Sequence, residues 1–425
     1  MSFSRRQMLR AVAALASLAG APVQTKPVQA KSPRGKPMPL SLRRGVNTWP
    51  WFSLTREYPA PRTDYAWPPF ELDRPIPTSR DLVRLRQAGF DFIRIPVDPG
   101  PFLAAGEQDK TRLLDMLMSA VEQALSAGLS VVVNIQPNGA THYWTPARMV
   151  SSTAAPKFAV YQNLAKDIGH QLADLDLTRV ALEPVNEPPQ ACDSVAWRDV
   201  QTSLLTTIRS EAPNLTLVAT GGCGSMIAGL DALDPAPLLA LEPLLFTFHF
   251  YEPYLFTHQG ATWMSEPMYR WLNAVPWPAA AGSLETTLAA VRARMAQDLT
   301  TTTAAKHAAY QEAKDALKVY FDARPARPFI DHYLAMAQAW GKHHGIAPAR
   351  ILMGEFGALR TDKHFVASAA SDRDRYIRDV RESAESFGFP WAFWDLFDGM
   401  GMMDDTTRAF DPAIISALGL TLPRD

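Results

Sequence analysis

Two glutamates lie in short motifs that suit acid–base and nucleophilic chemistry. Glu187 is the third residue of a Val-Asn-Glu-Pro motif and Glu355 the second residue of a Gly-Glu-Phe-Gly motif, and each motif closes a short apolar run. Cleavage of a glycosidic bond needs one carboxyl group to protonate the leaving oxygen and a second to meet the positive charge that develops at the anomeric carbon. The alternative is that each glutamate serves only a structural salt bridge.

Eight apolar runs alternate with amphipathic stretches, a pattern that predicts βα units and a parallel sheet. Most runs are nearly continuous in β-branched or aromatic residues, as expected of strands that are buried on both faces. The predicted strands are Arg44–Thr48, Phe92–Val97, Ser130–Gln136, Arg179–Asn186, Thr216–Thr220, Leu244–Phe250, Ile351–Phe356 and Pro390–Leu396. Glu187 and Glu355 therefore follow the fourth and seventh strands.

Eight strands with intervening helices favour a closed (β/α)8 barrel, the α/β fold also called a TIM barrel. An open doubly wound sheet usually carries a Gly-rich phosphate loop after its first strand, and this sequence has none there. In a barrel, the fourth and seventh strands lie across the mouth from each other, so the two glutamates would face one another over a bound sugar. We predict one domain over residues 31–425, with long connections at 49–77 and 252–328 on the active-site face.

The motifs together resemble the cellulase-like family 5 glycoside hydrolases, which belong to a clan of retaining barrel enzymes. The resemblance includes both glutamate motifs, Ile-Arg-Ile-Pro-Val at residues 93–97, His-Phe-Tyr at residues 249–251 and Trp394 near the eighth strand. It extends from Arg43 to about Leu420. Each motif is short, but five of them in the expected order at the expected strand ends are specific.

The resemblance implies a general acid/base at Glu187, which must hold a proton before attack, and a nucleophile at Glu355, which must be ionised. It places Arg94 beside the nucleophile, where a cation favours the carboxylate form. It also implies that Asn186 holds the sugar 2-hydroxyl, a contact that strengthens in the transition state.

Three aromatic residues complete the implied site. Tyr251 would donate a hydrogen bond to the nucleophile, His249 would line the subsite of the reacting sugar, and Trp394 would be the stacking platform beneath that sugar. Arg94 in a structural ion pair, and His249 or Trp394 as core residues, are the competing interpretations. We expect no cofactor and no metal ion.

One departure from the family pattern concerns the third strand, where members commonly end in Asp-x-His. Here Gln136 takes the place of that histidine. An amide can still bind a hydroxyl group but cannot become charged. His142, six residues further on, is a second candidate for this role, or an ordinary loop histidine. The departure bears on the substrate more than on the mechanism.

The function we predict is retaining hydrolysis of a β-linked polysaccharide, most simply as an endo-β-1,4-glucanase. Mannan, glucomannan or a bacterial exopolysaccharide is the alternative substrate, because backbone specificity depends on loops. A metal-dependent barrel hydrolase using His142, His249 and an acid would normally have a His-x-His pair, whereas this chain has His-x-Tyr. A non-catalytic glycan-binding barrel is the remote alternative.

The 252–328 insertion is expected to form a wall of the cleft beside the nucleophile. Ser283 could cap a helix with an apolar stripe through Leu299, and 304–323 reads as a second helix. Trp263, Trp271 and Trp277 precede these helices and are candidate platforms for further sugar rings. The alternative is that these tryptophans only anchor the insertion.

The N-terminus is typical of a twin-arginine export signal. Arg5 and Arg6 precede an apolar run that is too short to span a membrane, and residues 1–30 would be removed. The first thirty residues hold four basic and no acidic groups, so the mature chain would have 38 basic and 43 acidic residues, a net charge of −5. This balance does not suggest a nucleic-acid partner. We expect a periplasmic or secreted protein.

Cys192 and Cys223 are the two cysteines of the chain. They follow the fourth and fifth predicted strands and would lie on the same face of the barrel. An oxidising compartment would allow a disulfide between them. Two buried free thiols are an equally ordinary outcome.

Overall fold

Eight parallel strands close into a barrel in the computed structural model, which describes residues 40–423. The barrel strands are β1 (Arg44–Asn47), β4 (Phe92–Val97), β5 (Ser130–Ile135), β6 (Val180–Glu183), β7 (Thr216–Thr220), β8 (Leu244–Phe250), β9 (Ile351–Phe356) and β10 (Trp391–Phe393). Their order around the barrel is β1-β10-β9-β8-β7-β6-β5-β4. The predicted (β/α)8 fold is confirmed.

Helices alternate with these strands and cover the barrel. The α-helices are α1 (Ser79–Ala88), α2 (Gly100–Ala104), α3 (Glu107–Ser126), α4 (Pro146–Met149), α5 (Phe158–Ala173), α6 (Val195–Glu211), α7 (Ile227–Asp231), α8 (Tyr254–Thr257), α9 (Leu284–Gln297), α10 (Thr303–Ala323), α11 (Arg327–His344), α12 (Ala370–Phe387) and α13 (Pro412–Ala417). Local sequence fixes their ends. Thr78 and Asp81 form a capping box at the start of α1, and Gly89 ends this helix in the left-handed conformation. Over the described residues, none of the helices has the length and apolar character needed to cross a bilayer.

The barrel interior changes from apolar to polar along the strands. Seven strands each contribute one apolar side chain to a layer at the bottom of the barrel: Phe92, Val132, Ala181, Val218, Leu245, Leu352 and Ala392. On β1 this position is Gly45, because a Cβ there would lie 2.2 Å from the ring of Phe92. Two residues further along, the inward positions become mostly polar, since side chains alternate between faces. The next layer is Asn47, Arg94, Asn134, Glu183, Thr220, Thr247, Gly354 and Trp394.

Four barrel strands are shorter than predicted, the fourth and the eighth by the most, and a hairpin after the first strand was not predicted. The fourth barrel strand ends at Glu183, because Pro184 follows it, and the eighth ends at Phe393. The segment 49–77 contains an antiparallel hairpin of β2 (Thr55–Glu57) and β3 (Tyr65–Phe70). The export segment 1–30 lies outside the described residues and stays a prediction.

The 252–328 insertion has a hydrophobic core of its own. Ser283 accepts a hydrogen bond from the Thr286 amide and caps α9, as expected. Buried side chains of α9 and α10 pack with the preceding loop and with residues after β9, among them Leu359. Leu299 does not join the predicted stripe. It lies beyond the end of α9 and is 92% exposed.

Candidate active site

Glu187 lies in the loop that follows β6. Asn186 donates its backbone N–H to the Ile135 carbonyl at 2.8 Å, which ties this loop to the end of β5. The next residue, Glu187, has a positive φ of 42°. The left-handed conformation is unfavourable for a residue with a Cβ, and such residues concentrate at functional sites. The Glu187 side chain is 9% exposed.

A β-bulge in β9 turns Glu355 into the barrel. Phe248 pairs with Met353 and His249 with Glu355, so Gly354 is an extra residue opposite β8. A bulge of this kind re-aims the next side chain. A Cβ at Gly354 would lie 2.6 Å from Thr247 Oγ1 and 3.2 Å from His249 Nε2. The bulge therefore requires glycine at position 354.

Arg94 connects two buried carboxylates. Its guanidinium donates to both oxygens of Glu183, at 2.7 and 2.9 Å, and through Nη1 to Oε1 of Glu355 at 2.8 Å. It also donates to the side-chain oxygens of Asn47 at 2.8 Å and Asn186 at 2.6 Å. The Arg94 side chain is fully buried. Arg94 therefore links Glu355, the nucleophile candidate, to Asn186, the residue next to the acid candidate.

His249 lies between the two glutamates. Its Nδ1 is 2.9 Å from Oε1 of Glu187 and 3.5 Å from Oε2 of Glu355. Tyr251 donates its hydroxyl to the same Glu355 oxygen at 3.0 Å. Burial raises the pKa of the Tyr251 phenol, so the phenol remains a donor. Burial also lowers the pKa of His249 to about 4, which makes its imidazole neutral at neutral pH.

The two glutamates differ in their electrostatic surroundings. One oxygen of Glu187 and one of Glu355 lie within 4.8 Å of each other. Burial raises the pKa of Glu187 to about 7, and the charge of Arg94 only partly opposes this rise. Burial also raises the pKa of Glu355, but the charge of Arg94 and its direct hydrogen bond favour the carboxylate form.

The charges of this buried group explain which carboxyl keeps a proton. Arg94 is the one cation in contact with Glu183 and Glu355, and it has no hydrogen bond to Glu187 among the described contacts. Ionising all three glutamates would leave two uncompensated charges in a low dielectric. Glu187 is the carboxyl without a cationic partner, so Glu187 holds the proton.

The structure brings Asn186, Tyr251, His249 and Arg94 together with the two glutamates. Trp394 is partly buried and lies beside Trp49, with ring centroids 5.5 Å apart. Sequence reasoning missed Trp49, although it begins a stretch rich in Trp and Pro. Gln136 directly follows β5, and its buried Oε1 has no hydrogen-bond partner among the described residues.

His142 lies in contact with the β2–β3 hairpin instead. Its Nδ1 is 3.0 Å from Glu57, and its Nε2 is 2.7 Å from the Arg62 carbonyl. Both ring nitrogens of His142 are therefore bonded within the hairpin, away from Glu187, Glu355 and His249. This argues against a metal site shared by His142 and His249.

Glu187, His249 and Glu355 are themselves close enough to be metal ligands, because three of their donor atoms lie within 4.8 Å of one another. The positively charged guanidinium of Arg94 already lies against Glu355. A second cation at this carboxylate would be repelled by the guanidinium. The arrangement suits proton transfer and nucleophilic attack better than metal binding.

The three candidate tryptophans of the insertion separate into two groups. Trp263 is 43% exposed, whereas Trp271 is 3% and Trp277 is 0% exposed. The Trp277 indole donates to Asp379 of α12 at 2.9 Å. The expectation that Trp271 and Trp277 face the substrate is therefore wrong, because both rings are enclosed by side chains of the core. They anchor the insertion.

Glu183 was not predicted as a site residue. The available signal was an acidic residue inside a strand that should be buried on both faces. A disulfide joins Cys192 to Cys223, which confirms the pairing that the sequence left open.

Comparisons with known proteins agree with this architecture. The family model of Cellulase (glycosyl hydrolase family 5) matches residues 60–399. Endoglucanase 3 of Fibrobacter succinogenes is 22% identical over 385 residues, which cover 87% of this chain and 51% of that protein. The chain thus spans about half the length of this relative.

Solved structures share the fold. A hyperthermophilic endo-β-1,4-glucanase in complex with substrate has a TM-score of 0.63 at 21% identity, covering 90% of this chain and 97% of its own. Thermotoga maritima Cel5A in complex with mannotriose has a TM-score of 0.60 at 19% identity, covering 89% and 97%. With a family model that covers most of its length, the chain belongs to the cellulase family, glycosyl hydrolase family 5.

Proposed function

We propose that the protein is a retaining endo-β-glycanase that cleaves a β-linked polysaccharide by double displacement. The observation that carries the proposal is the pairing of Glu187 and Glu355, whose oxygens lie within 4.8 Å of each other. Retaining glycosidases have carboxyl groups about 5–5.5 Å apart, whereas inverting enzymes leave room for a water molecule at about 6.5–9.5 Å.

In the first step, Oε1 or Oε2 of Glu355 attacks the anomeric carbon while Glu187 protonates the glycosidic oxygen. The bond to the leaving sugar breaks, and a covalent glycosyl ester forms on Glu355. In the second step, Glu187 is the carboxylate that takes a proton from water, and the water oxygen displaces Glu355. The raised pKa of Glu187, about 7, supports its role as acid.

The neighbouring residues have roles that match their contacts. Arg94 and Tyr251 each donate to one oxygen of Glu355 and stabilise it when it is ionised and when it is the leaving group. Asn186 binds the sugar 2-hydroxyl, and Gln136 binds a hydroxyl through the oxygen that now lacks a partner. Trp394 stacks beneath the reacting sugar. His249 orients Glu187.

The substrate we propose is a β-1,4-glucan. Its support comes from relatives, since the matched endoglucanase of Fibrobacter succinogenes and the endo-β-1,4-glucanase structure carry that activity in their names. A β-mannan is the second candidate, because a structural neighbour was solved in complex with mannotriose. A bacterial exopolysaccharide stays a further alternative.

A panel of purified polysaccharides tests the proposal. We expect new reducing ends from β-glucan or glucomannan, with the product retaining the β configuration in proton NMR spectra recorded during the first turnovers. Release of only short products from chain ends would contradict endo action. Inverted product would contradict the double displacement, and no hydrolysis of any polysaccharide would favour the non-catalytic glycan-binding alternative.

We also propose export by the twin-arginine route to the periplasm or beyond. The disulfide supports this, because disulfides persist in oxidising compartments. Changing Arg5 and Arg6 to Lys should leave precursor in the cytoplasm, as measured by fractionation. Unchanged export of the double variant would argue for another route.

A further inference from the structure

The loop that holds Glu187 is fastened to the next loop along the barrel mouth. We call residues 184–194, between β6 and α6, the acid loop, and residues 221–226, after β7, the clamp turn. The disulfide between Cys192 and Cys223 joins the two. The bond begins only five residues after Glu187 in the sequence. None of the catalytic contacts described above involves either cysteine.

The acid loop needs fastening on both sides of Glu187. On the N-terminal side, the backbone of Asn186 is held by β5. Glu187 itself has a φ of 42°, an unfavourable conformation that persists only where the surroundings enforce it. On the C-terminal side, Gly224 donates to the Pro188 carbonyl at 2.9 Å and Cys223 to the Gln190 carbonyl at 2.6 Å. The Gln190 side chain also donates to the Val150 carbonyl, but both of these backbone contacts come from the clamp turn.

The clamp turn is strained as well. Cys223, Gly224 and Ser225 have φ angles of 47°, 70° and 59°. Two of these three consecutive left-handed residues are not glycine, and this conformation is unfavourable for a residue with a Cβ. Gly222 lies so close to the acid loop that a Cβ would be 2.4 Å from the Ala191 carbonyl oxygen. The two loops therefore support each other.

The same turn also fixes His249. The Ser225 carbonyl accepts the His249 backbone N–H at 2.8 Å, and Ser225 Oγ is 2.9 Å from Thr220 Oγ1. His249 Nδ1 in turn lies 2.9 Å from Oε1 of Glu187. One short turn thus sets the backbone on both sides of this contact.

We propose that Cys192 and Cys223 are positioning residues for the acid/base, and that their disulfide keeps Glu187 in reach of the glycosidic oxygen. The proposal rests on the proposed function, in which Glu187 is that acid/base. Without the covalent link, residues 188–194 can move away from the clamp turn, and the strained backbone at Glu187 can relax. Glu355 is held by β9 and Arg94, so the nucleophile keeps its place.

The experiment compares leaving groups in the wild type, before and after reduction, and in the Cys192→Ser/Cys223→Ser variant. The substrates are β-cellobiosides whose leaving groups range from dinitrophenyl, which needs little protonation, to phenyl and methyl, which need much. We expect kcat/KM to fall roughly tenfold or more for the poorest leaving group and to stay within about twofold for dinitrophenyl, since general acid catalysis is worth about 10²–10⁴-fold. Thermal melting ensures that every sample is folded at the assay temperature.

Two results would overturn the proposal: no loss on breaking the disulfide, or an equal loss for all leaving groups. If the double variant does not fold, the wild type folded with its disulfide and then reduced gives the same comparison. Glu187→Gln serves as the reference. In the Glu187→Gln variant, reduction of the disulfide should not change further how kcat/KM depends on the leaving group. If Glu187→Gln itself shows no such dependence, the proposed acid/base assignment fails instead.

Discussion

His249 Nδ1 lies 2.9 Å from Oε1 of Glu187, in a site where burial shifts the two pKa values in opposite directions. The pKa of the imidazole falls to about 4 and that of the carboxyl rises to about 7. Between these values both groups are neutral, because His249 has lost its proton and Glu187 has kept one. The neutral pair is the form that a general acid needs before attack.

The first prediction is a basic limb in the pH dependence of kcat/KM. Glu187 must be protonated to act as acid, so activity should fall as the pH rises through about 7, the raised pKa of Glu187. Above this value the protonated fraction declines by about tenfold per pH unit. Initial rates on a cello-oligosaccharide between pH 4 and 10 measure the limb.

A matched substrate provides the control for this limb. A dinitrophenyl glycoside needs little protonation, so its rate should depend much less on pH above neutrality. Glu187→Gln should remove the limb from both substrates and lower the rate on the cello-oligosaccharide by about 10²–10⁴-fold. A limb that persists in Glu187→Gln would assign the proton to another group.

The second prediction concerns the nucleophile. Glu355→Ala should abolish turnover, since the covalent intermediate cannot form. A slow 2-fluoro glycoside should leave one sugar on the peptide that contains Glu355, measured by mass spectrometry. Glu266→Gln is a matched control, because Glu266 is also a buried glutamate but lies in the insertion. A label on any other carboxylate would contradict the assignment.

The barrel could be predicted from the sequence because its strands are nearly unbroken apolar runs. Four of the eight strands, including Thr216–Thr220, have the predicted bounds. It placed both glutamates at the mouth. It could not reveal that Glu183 and Arg94 share the interior, because inward direction depends on strand register. The bulge at Gly354 could not be predicted either, because it also depends on how β8 and β9 pair. Burial of Trp271 and Trp277 depends on tertiary packing, which an aromatic residue in a loop does not disclose.

The third prediction tests the shared guanidinium. In Glu183→Gln, Arg94 loses a charged partner, so its attraction for Glu355 is no longer divided. Removing a negative charge lowers the pKa of the Glu355 carboxyl, and the acidic limb of kcat/KM should therefore move to lower pH. The free energy of unfolding should fall by about 3 kcal/mol, as expected when a buried ion pair loses one partner.

Glu382→Gln is the control for this variant. Glu382 pairs with Arg327 at 3.0 Å, but its side chain is 41% exposed. The loss in stability should be less than about 1 kcal/mol, because water screens exposed pairs. Denaturant titrations measure both variants. An acidic limb that does not move in Glu183→Gln would show that Arg94 acts on Glu355 independently of Glu183.

The fourth prediction concerns the bulge. In Gly354→Ala the new methyl group would lie 2.6 Å from Thr247 Oγ1, so the bulge or the threonine must shift. We expect a loss of about 1–3 kcal/mol in stability and a lower kcat, because the shift moves Glu355. Thr247→Ala removes the oxygen that the new methyl group would contact. The double variant should therefore regain part of the lost stability and part of the lost kcat. Losses that simply add in the double variant would exclude this contact as the cause.

The last prediction concerns Trp263, the remaining exposed tryptophan of the insertion. Its ring meets Phe365 edge-on at 5.6 Å and lies 6.4 Å from His258, whose ring is 5.2 Å from that of Tyr251. This chain of contacts connects Trp263 to the nucleophile side of the cleft. An exposed aromatic face there suits stacking on a sugar ring beyond the reacting one, because a ring offers a large apolar area at low entropic cost.

Trp263→Ala should therefore reduce kcat/KM on polymer by about tenfold, or roughly 1.4 kcal/mol, and leave a short aryl glycoside nearly unchanged. Trp67 is the matched control. It is 41% exposed, but Arg112 of α3 lies over its ring, 4.3 Å from the ring centroid. Trp67→Ala should change neither rate. Equal losses on both substrates in Trp263→Ala would mean that this ring supports the fold of the insertion, as Trp271 and Trp277 do, and takes no part in holding the glycan.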